Sequence, residues 1–142
     1  MPLHERLVTD SLLIAPQAMT NSATVTANLD CQGAAFATIR VPLASEINTN
    51  AIGPTLSLLE SDDTVATNFA TVTSDRTAED ITAAKCVVYS VDLRGKKRFL
   101  RLSCSTETTT NDNVTLAAVA TLSRQTERPA GTTDAGDVVV HV

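Results

Sequence analysis

The chain has 142 residues and a formal net charge of −5, with 43% hydrophobic and 19% charged residues. That suits one globular domain; it is too short for two ordinary ones and too hydrophobic for a disordered chain. The acidic balance disfavours nonspecific attachment to DNA or an anionic membrane, and no apolar run approaches the roughly 20 residues that span a bilayer.

Residues 1–20 carry Leu3, Leu7, Val8, Leu12, Leu13 and Ile14 before Pro16, a pattern that partly fits a helical stripe and equally fits a strand. Residues 1–22 are read as an N-terminal arm that packs on the domain or on a neighbour. The short start before Glu5 lacks the apolar core of a signal peptide.

From Ala23 the period becomes two. Ala23, Val25, Ala27 and Leu29 alternate with Thr24, Thr26, Asn28 and Asp30, the pattern of a half-buried strand. Cys31-Gln32-Gly33 reads as a turn and Ala35–Val41 as the returning strand, ended by Pro42, which cannot donate to a ladder. Residues 44–53 form a polar loop, and Thr55–Ser61 a strand with Leu56 and Leu58 inward. Ser61-Asp62-Asp63-Thr64 has turn chemistry. Thr67–Thr73 is the next expected strand. Thr77 stands three residues before Asp80, so 74–84 starts a short helix or forms a loop.

Cys86–Val91 and Phe99–Cys104 read as the two arms of a hairpin, with Gly95 free to take a positive φ between them. A polar loop then leads to Val114–Leu122, with Val114, Leu116, Ala118, Ala120 and Leu122 on one face. After Arg124 the tail is polar until Val138-Val139-Val140-His141-Val142, which closes its own sheet or adds to a neighbouring subunit.

The expected fold is therefore all-β: an antiparallel β-sandwich, jelly-roll or Ig-like, over residues 23–124, with the arm before it and a strand-forming tail at 125–142. Twenty-two Thr residues support it, because a β-branched side chain suits a pleated strand. Three Phe, one Tyr and no Trp make a thin core, so some reliance on a partner surface is expected.

Little in the chain suggests catalysis. His4 and His141 lie at the two ends, away from any nucleophile, so a hydrolase is disfavoured. Cys31, Cys86 and Cys104 are odd in number and widely spaced, which suggests reduced thiols rather than a disulfide framework or zinc site. Glu60, Asp62 and Asp63 lack the spacing of a calcium loop, and turn chemistry explains them. No catalytic residue, metal or cofactor is assigned.

The strongest electrostatic feature is basic: Arg94, Lys96, Lys97, Arg98 and Arg101, with Phe99 among them and Tyr89 nearby. A solvated tip, a docking contact with an acidic protein surface, and single-stranded nucleic acid are the readings it admits, nucleic acid being the weakest.

Three segments in order resemble small bacteriophage structural proteins of the capsid decoration, or cement, type. They are Leu58-Leu59-Glu60-Ser61-Asp62-Asp63 with Phe69, then Gly95-Lys96-Lys97-Arg98-Phe99-Leu100-Arg101, then Ala117-Ala118-Val119-Ala120-Thr121-Leu122-Ser123-Arg124. Thr64 stands where that family has Gly. The resemblance implies a virion protein on the outside of the head, assembled in the host cytoplasm, that clamps major capsid subunits as a homo-oligomer, a trimer being preferred. Arg94, Lys96, Lys97, Arg98 and Arg101 are then docking residues. Leu7, Val8, Leu12, Leu13, Val138, Val139, Val140 and Val142 are subunit contacts. A neck or tail component is the alternative placement, and a nucleic-acid-binding β-domain a further one.

Overall fold

The computed structural model describes residues 8–20, 22–44, 54–72, 76–77, 84–106, 114–123 and 137–141. Its strands are β1 (Val8–Met19), β2 (Thr24–Asp30), β3 (Phe36–Leu43), β4 (Thr55–Ser61), β5 (Ala70–Thr71), β6 (Arg76–Thr77), β7 (Lys85–Asp92), β8 (Phe99–Ser105), β9 (Val114–Ser123) and β10 (Asp137–His141). They form two sheets. Sheet A has the order β1-β9-β3-β7-β10; sheet B has β2-β8-β4-β5, with β6 also paired to β4.

The alternation read from the sequence decides which side of each strand goes inward. Leu56 and Leu58 of β4, Leu100, Leu102 and Cys104 of β8, and Val114, Leu116, Ala118 and Ala120 of β9 are buried. They meet Ile39 and Val41 of β3 and Val87, Tyr89 and Val91 of β7 in one core. Such a two-layer arrangement is how sheets with one apolar face satisfy both layers. The all-β sandwich expectation holds.

Several local expectations are corrected. Val8–Met19 of the expected arm is a strand of sheet A, antiparallel to β9. Two register shifts, between Leu12 and Ile14 and between Ile14 and Gln17, explain why its alternation is unreadable in sequence. β3 does not end at Pro42 but runs through it to Leu43, fully paired with β7. The missing donor is accommodated on the β9 side, where pairing lapses at Val41 and Pro42 and resumes at Leu43. The strand expected at Thr67–Thr73 shrinks to Ala70–Thr71 after a 3-10 turn at Ala66–Asn68. Arg76–Thr77, expected at a helix start or in a loop, is extended and pairs with β4. Of the two fates weighed for the tail, β10 takes the first. It joins its own sheet, parallel to β7, and is the one parallel pairing among the described strands.

The largest correction concerns connections. The β2–β3 and β7–β8 turns are not hairpins: β2 and β8 belong to sheet B, and β3 and β7 to sheet A. Both turns are arches that cross the sandwich. Each strand has one apolar face, which a hairpin and an arch serve equally well, so alternation cannot separate the two. Leu93, buried in the core at the β7–β8 crossing, marks the chain passing between layers.

Candidate functional site

The two arches lie side by side at one end of the sandwich. The Cys31 N–H donates to the Arg98 carbonyl at 2.9 Å, and the Leu93 N–H donates to the Ala35 carbonyl at 2.9 Å. Each arch contains a glycine in the left-handed region, Gly33 at φ 80° and Gly95 at φ 79°, as expected for Gly95. No heavy atom lies within 4 Å of where a Gly95 Cβ would sit, so backbone conformation alone selects glycine there.

The basic residues of the sequence gather here and are matched by acids. Arg94 Nε and Nη2 donate to the Asp92 carboxylate, the shortest contact being 2.6 Å. Arg98 Nε and Nη2 donate to Asp30 at 3.0 and 2.8 Å, across 68 residues of sequence. Lys97 donates its backbone N–H to Glu60 at 3.1 Å and sets its Nζ 3.6 Å from Asp62. Arg101 donates to the Asn28 side-chain oxygen at 2.8 Å. Lys96 is half-buried and donates its backbone N–H to the Leu93 carbonyl; its amine forms no ion pair among the described residues.

Guanidinium groups also cover the aromatic rings. Arg98 lies 4.8 Å from the Phe99 centroid, Arg101 3.9 Å from Phe69 and Arg94 5.7 Å from Phe36. Titration follows the pairing. The Arg98 guanidinium beside Asp30 holds that carboxyl below the ordinary range, helped by the Gln32 N–H. Asp92 and Asp30 in turn raise Arg94 and Arg98.

The Asp62–Asp63 turn has its own closed set of bonds. Asp63 accepts from the Val65 N–H at 2.9 Å and the Asn68 amide at 2.8 Å, and these contacts hold its carboxyl low. That is the turn chemistry read from the sequence. Among the described residues no group of three His, Cys, Asp or Glu side chains converges to hold a metal ion. The cysteines are free thiols. Burial raises Cys31 to about 11 and Cys104 to about 12, so neither is a ready nucleophile.

The expected subunit-contact residues are not one surface. Leu13 packs against this chain's own core and Val8 is half-buried opposite Ser123, whereas Leu12 is 61% exposed. Val138, Val139 and Val140 lie in β10 opposite Val87, Val88 and Tyr89. Leu7 and Val142 lie outside the described residues.

Sequence reasoning missed the acidic half of the arch cluster. Asp92, two residues before Arg94, was within reach of a local reading. Asp30 and Asn28 were not, because only the pairing of β2 with β8 brings them to Arg98 and Arg101.

No family model matches the chain, and no curated protein matches it in sequence. Among solved structures it is similar to the enzymatically active domain of tailspike protein 4 of bacteriophage CBA120, at 8% identity and a TM-score of 0.51, over 81% of this chain and 19% of that one. It is also similar to the infectious bursal disease virus Gx strain structure, at 12% identity and a TM-score of 0.49, over 86% of this chain and 33% of that one. The VP2 subviral particle of the same virus gives 11% identity and 0.48, over 84% and 33%. The chain thus spans a third or less of each of these three chains. At such identities the likeness is one of fold.

Proposed function

We propose that the chain is a non-catalytic structural protein of a bacteriophage particle, a decoration or cement protein bound outside the head across major capsid subunits. The observation that carries this reading is the interlock of two resembling segments. Glu60 and Asp62 of the first hold Lys97 of the second, and Ser61 pairs with Phe99 across β4 and β8. The residues that carry the resemblance are thus engaged in bracing an arch, a structural use rather than a chemical one.

The mechanism is mechanical. A filled head fails when its subunits separate, and a bound protein adds interface that must part as well. Each Å² of apolar surface removed from water contributes about 25 cal/mol before the costs of association. Many symmetry-related copies multiply a modest gain at each site. The arch end offers a nearly neutral, hydrogen-bonding surface, on which Lys96 carries the amine left open to an acidic group of the partner. The same neutrality weighs against single-stranded nucleic acid, since the rings that would stack on bases are already covered by guanidinium groups.

Mixing the purified protein with expanded, DNA-free heads and pelleting them tests the reading. Co-sedimentation to a saturating ratio, reduced by Lys96→Glu with the fold intact, is the expected result. Protein left wholly in the supernatant with heads, yet bound to tails or to oligonucleotides, would refute head decoration.

A further inference from the structure

The outer faces of both sheets carry in-register hydroxyl side chains, on sheet A the row Thr121, Thr38 and Ser90 beside Asp10, and they differ in one further row. On sheet B, neighbouring strands present Thr24 and Thr26 of β2, Ser103 and Ser105 of β8, and Thr55 and Ser57 of β4 in register, a face of hydroxyl groups suited to water. On sheet A the register aligns Leu12, Val119, Arg40 and Val88 in one row across β1, β9, β3 and β7. Leu12 is 61% and Val119 38% exposed, and Arg40 is exposed between Val119 and half-buried Val88. One step along the same face stand Ala117 and Pro42, the latter exposed. An apolar row of this kind set around one Arg matches an interface core in keeping Arg and in lacking Lys and Glu, without the aromatic side chains that are enriched there.

Arg40 makes no ion pair among the described residues. The matching charge lies on the same face. Asp10 of β1 is exposed, opposite Thr121, whose hydroxyl donates to its Oδ1 at 2.6 Å. Two strand spacings and one outward-facing step separate Asp10 from Arg40, about 12 Å at ordinary sheet dimensions. Within one chain that distance is too long for a contact.

We infer that the outer face of sheet A binds the same face of a second copy, two-fold related, with Arg40 of each copy paired to Asp10 of the other. A two-fold axis lying in the interface exchanges any two points on a face, so one axis makes both ion pairs. It passes over β9 between Val119 and Thr121, and thereby sets Leu12 and Val119 of the two copies together at the centre. This axis crosses the strands of the two copies at roughly 70°, nearer the orthogonal than the aligned class of sheet packing. Four strands at about 4.8 Å and some eight residues of length give roughly 500 Å² of planar face per copy. The total is at most about 1,000 Å², the floor for a biological interface and the size of a weak, reversible one. The inference replaces the trimer that the resemblance prefers with a two-fold dimer, does not rest on head binding, and is tested without heads.

Sedimentation equilibrium of the full chain, from about 1 to 100 μM, reads the result. A dimer is expected for the wild type. Arg40→Asp and Asp10→Arg each set like charges together and weaken it at least about tenfold, whereas the double variant Asp10→Arg with Arg40→Asp restores it. Both positions are exposed, and circular dichroism verifies that each variant keeps its strands. A monomeric or trimeric wild type overturns the inference. So do single variants that dimerise like the wild type, or a double variant that fails to recover.

Discussion

Converting Asp30, Asp62 and Asp92 to Asn should turn a protein indifferent to polyanions into one that binds them. In the wild type, Arg94, Lys96, Lys97, Arg98 and Arg101 share one end of the sandwich with Asp30, Glu60, Asp62, Asp63 and Asp92, so the formal charges there cancel. Asn keeps an acceptor for the Gln32 and Arg94 N–H groups, which preserves the turns while removing charge. Three uncompensated cations remain. On a single strand each neutralised phosphate contributes about −0.7 to the slope of log K against log salt, so the variant should show a slope near −2. Between 50 and 200 mM salt that is a loss of about 20-fold in affinity. Fluorescence anisotropy with a labelled oligothymidine reads both quantities, and the wild type should give a slope near zero. A wild type that binds as tightly and as steeply as the variant would show that the carboxylates do not neutralise the arches.

Other expectations follow from burial and bonding. Leu102→Ala, on the central strand of sheet B at 1% exposure, should cost about 2–5 kcal/mol in chemical denaturation, a large share of the stability of a core with few aromatics. Thr106→Val should cost roughly 1–3 kcal/mol, because the Thr106 hydroxyl accepts from the Ala23 N–H at 3.0 Å and donates to the Thr20 carbonyl at 2.5 Å, clamping the β1–β2 corner. With the Asp63 carboxyl held below its ordinary 3.8, its stabilisation is complete above about pH 4 and is lost as the pH falls through the lowered folded value. The melting temperature should therefore drop more steeply on acidification for the wild type than for Asp63→Asn. Native alkylation near pH 8 should modify Cys86 first and spare Cys31 and Cys104 until the protein is unfolded, as mass spectrometry will read.

What was legible in the sequence was the period-two pattern of strands with one wet face. β2, β4, β8 and β9 stand where the alternation of Ala23–Asp30, Thr55–Ser61, Phe99–Cys104 and Val114–Leu122 puts them. Three kinds of information were not legible. β1 carries irregularities that break the period around Leu13 and Ala15–Pro16, so the strand looks like an arm. Pro42 reads as a terminator because a sequence does not say which side of a strand its missing donor faces. The arches read as hairpins because which sheet a strand joins is settled by packing over long separations. The candidate site suffered most from the last of these. A basic run is a local feature, but its neutralisation by Asp30 depends on β2 pairing with β8.

The charge cancellation also bears on which part of the molecule can attract a partner. Exposed ion pairs such as Arg94–Asp92 and Arg98–Asp30 add little to stability, and paired charges are poor attractants for a distant partner. An end built this way fixes the shape of two crossing arches and leaves the long-range field of the molecule acidic. Beyond the open Lys96 amine, attraction must then come from surface that water solvates badly. Of the three large hydrophobic side chains exposed among the described residues, Val65 stands apart, and Leu12 and Val119 share one row on the outer face of sheet A, where Arg40 stands without a local counter-charge. The outer face of sheet B, with its in-register Thr and Ser side chains, has no comparable reason to leave water. The apolar row of sheet A lies beside the row of Thr121, Thr38 and Ser90, so association through that face joins apolar contact to polar contact and leaves the outer face of sheet B in water.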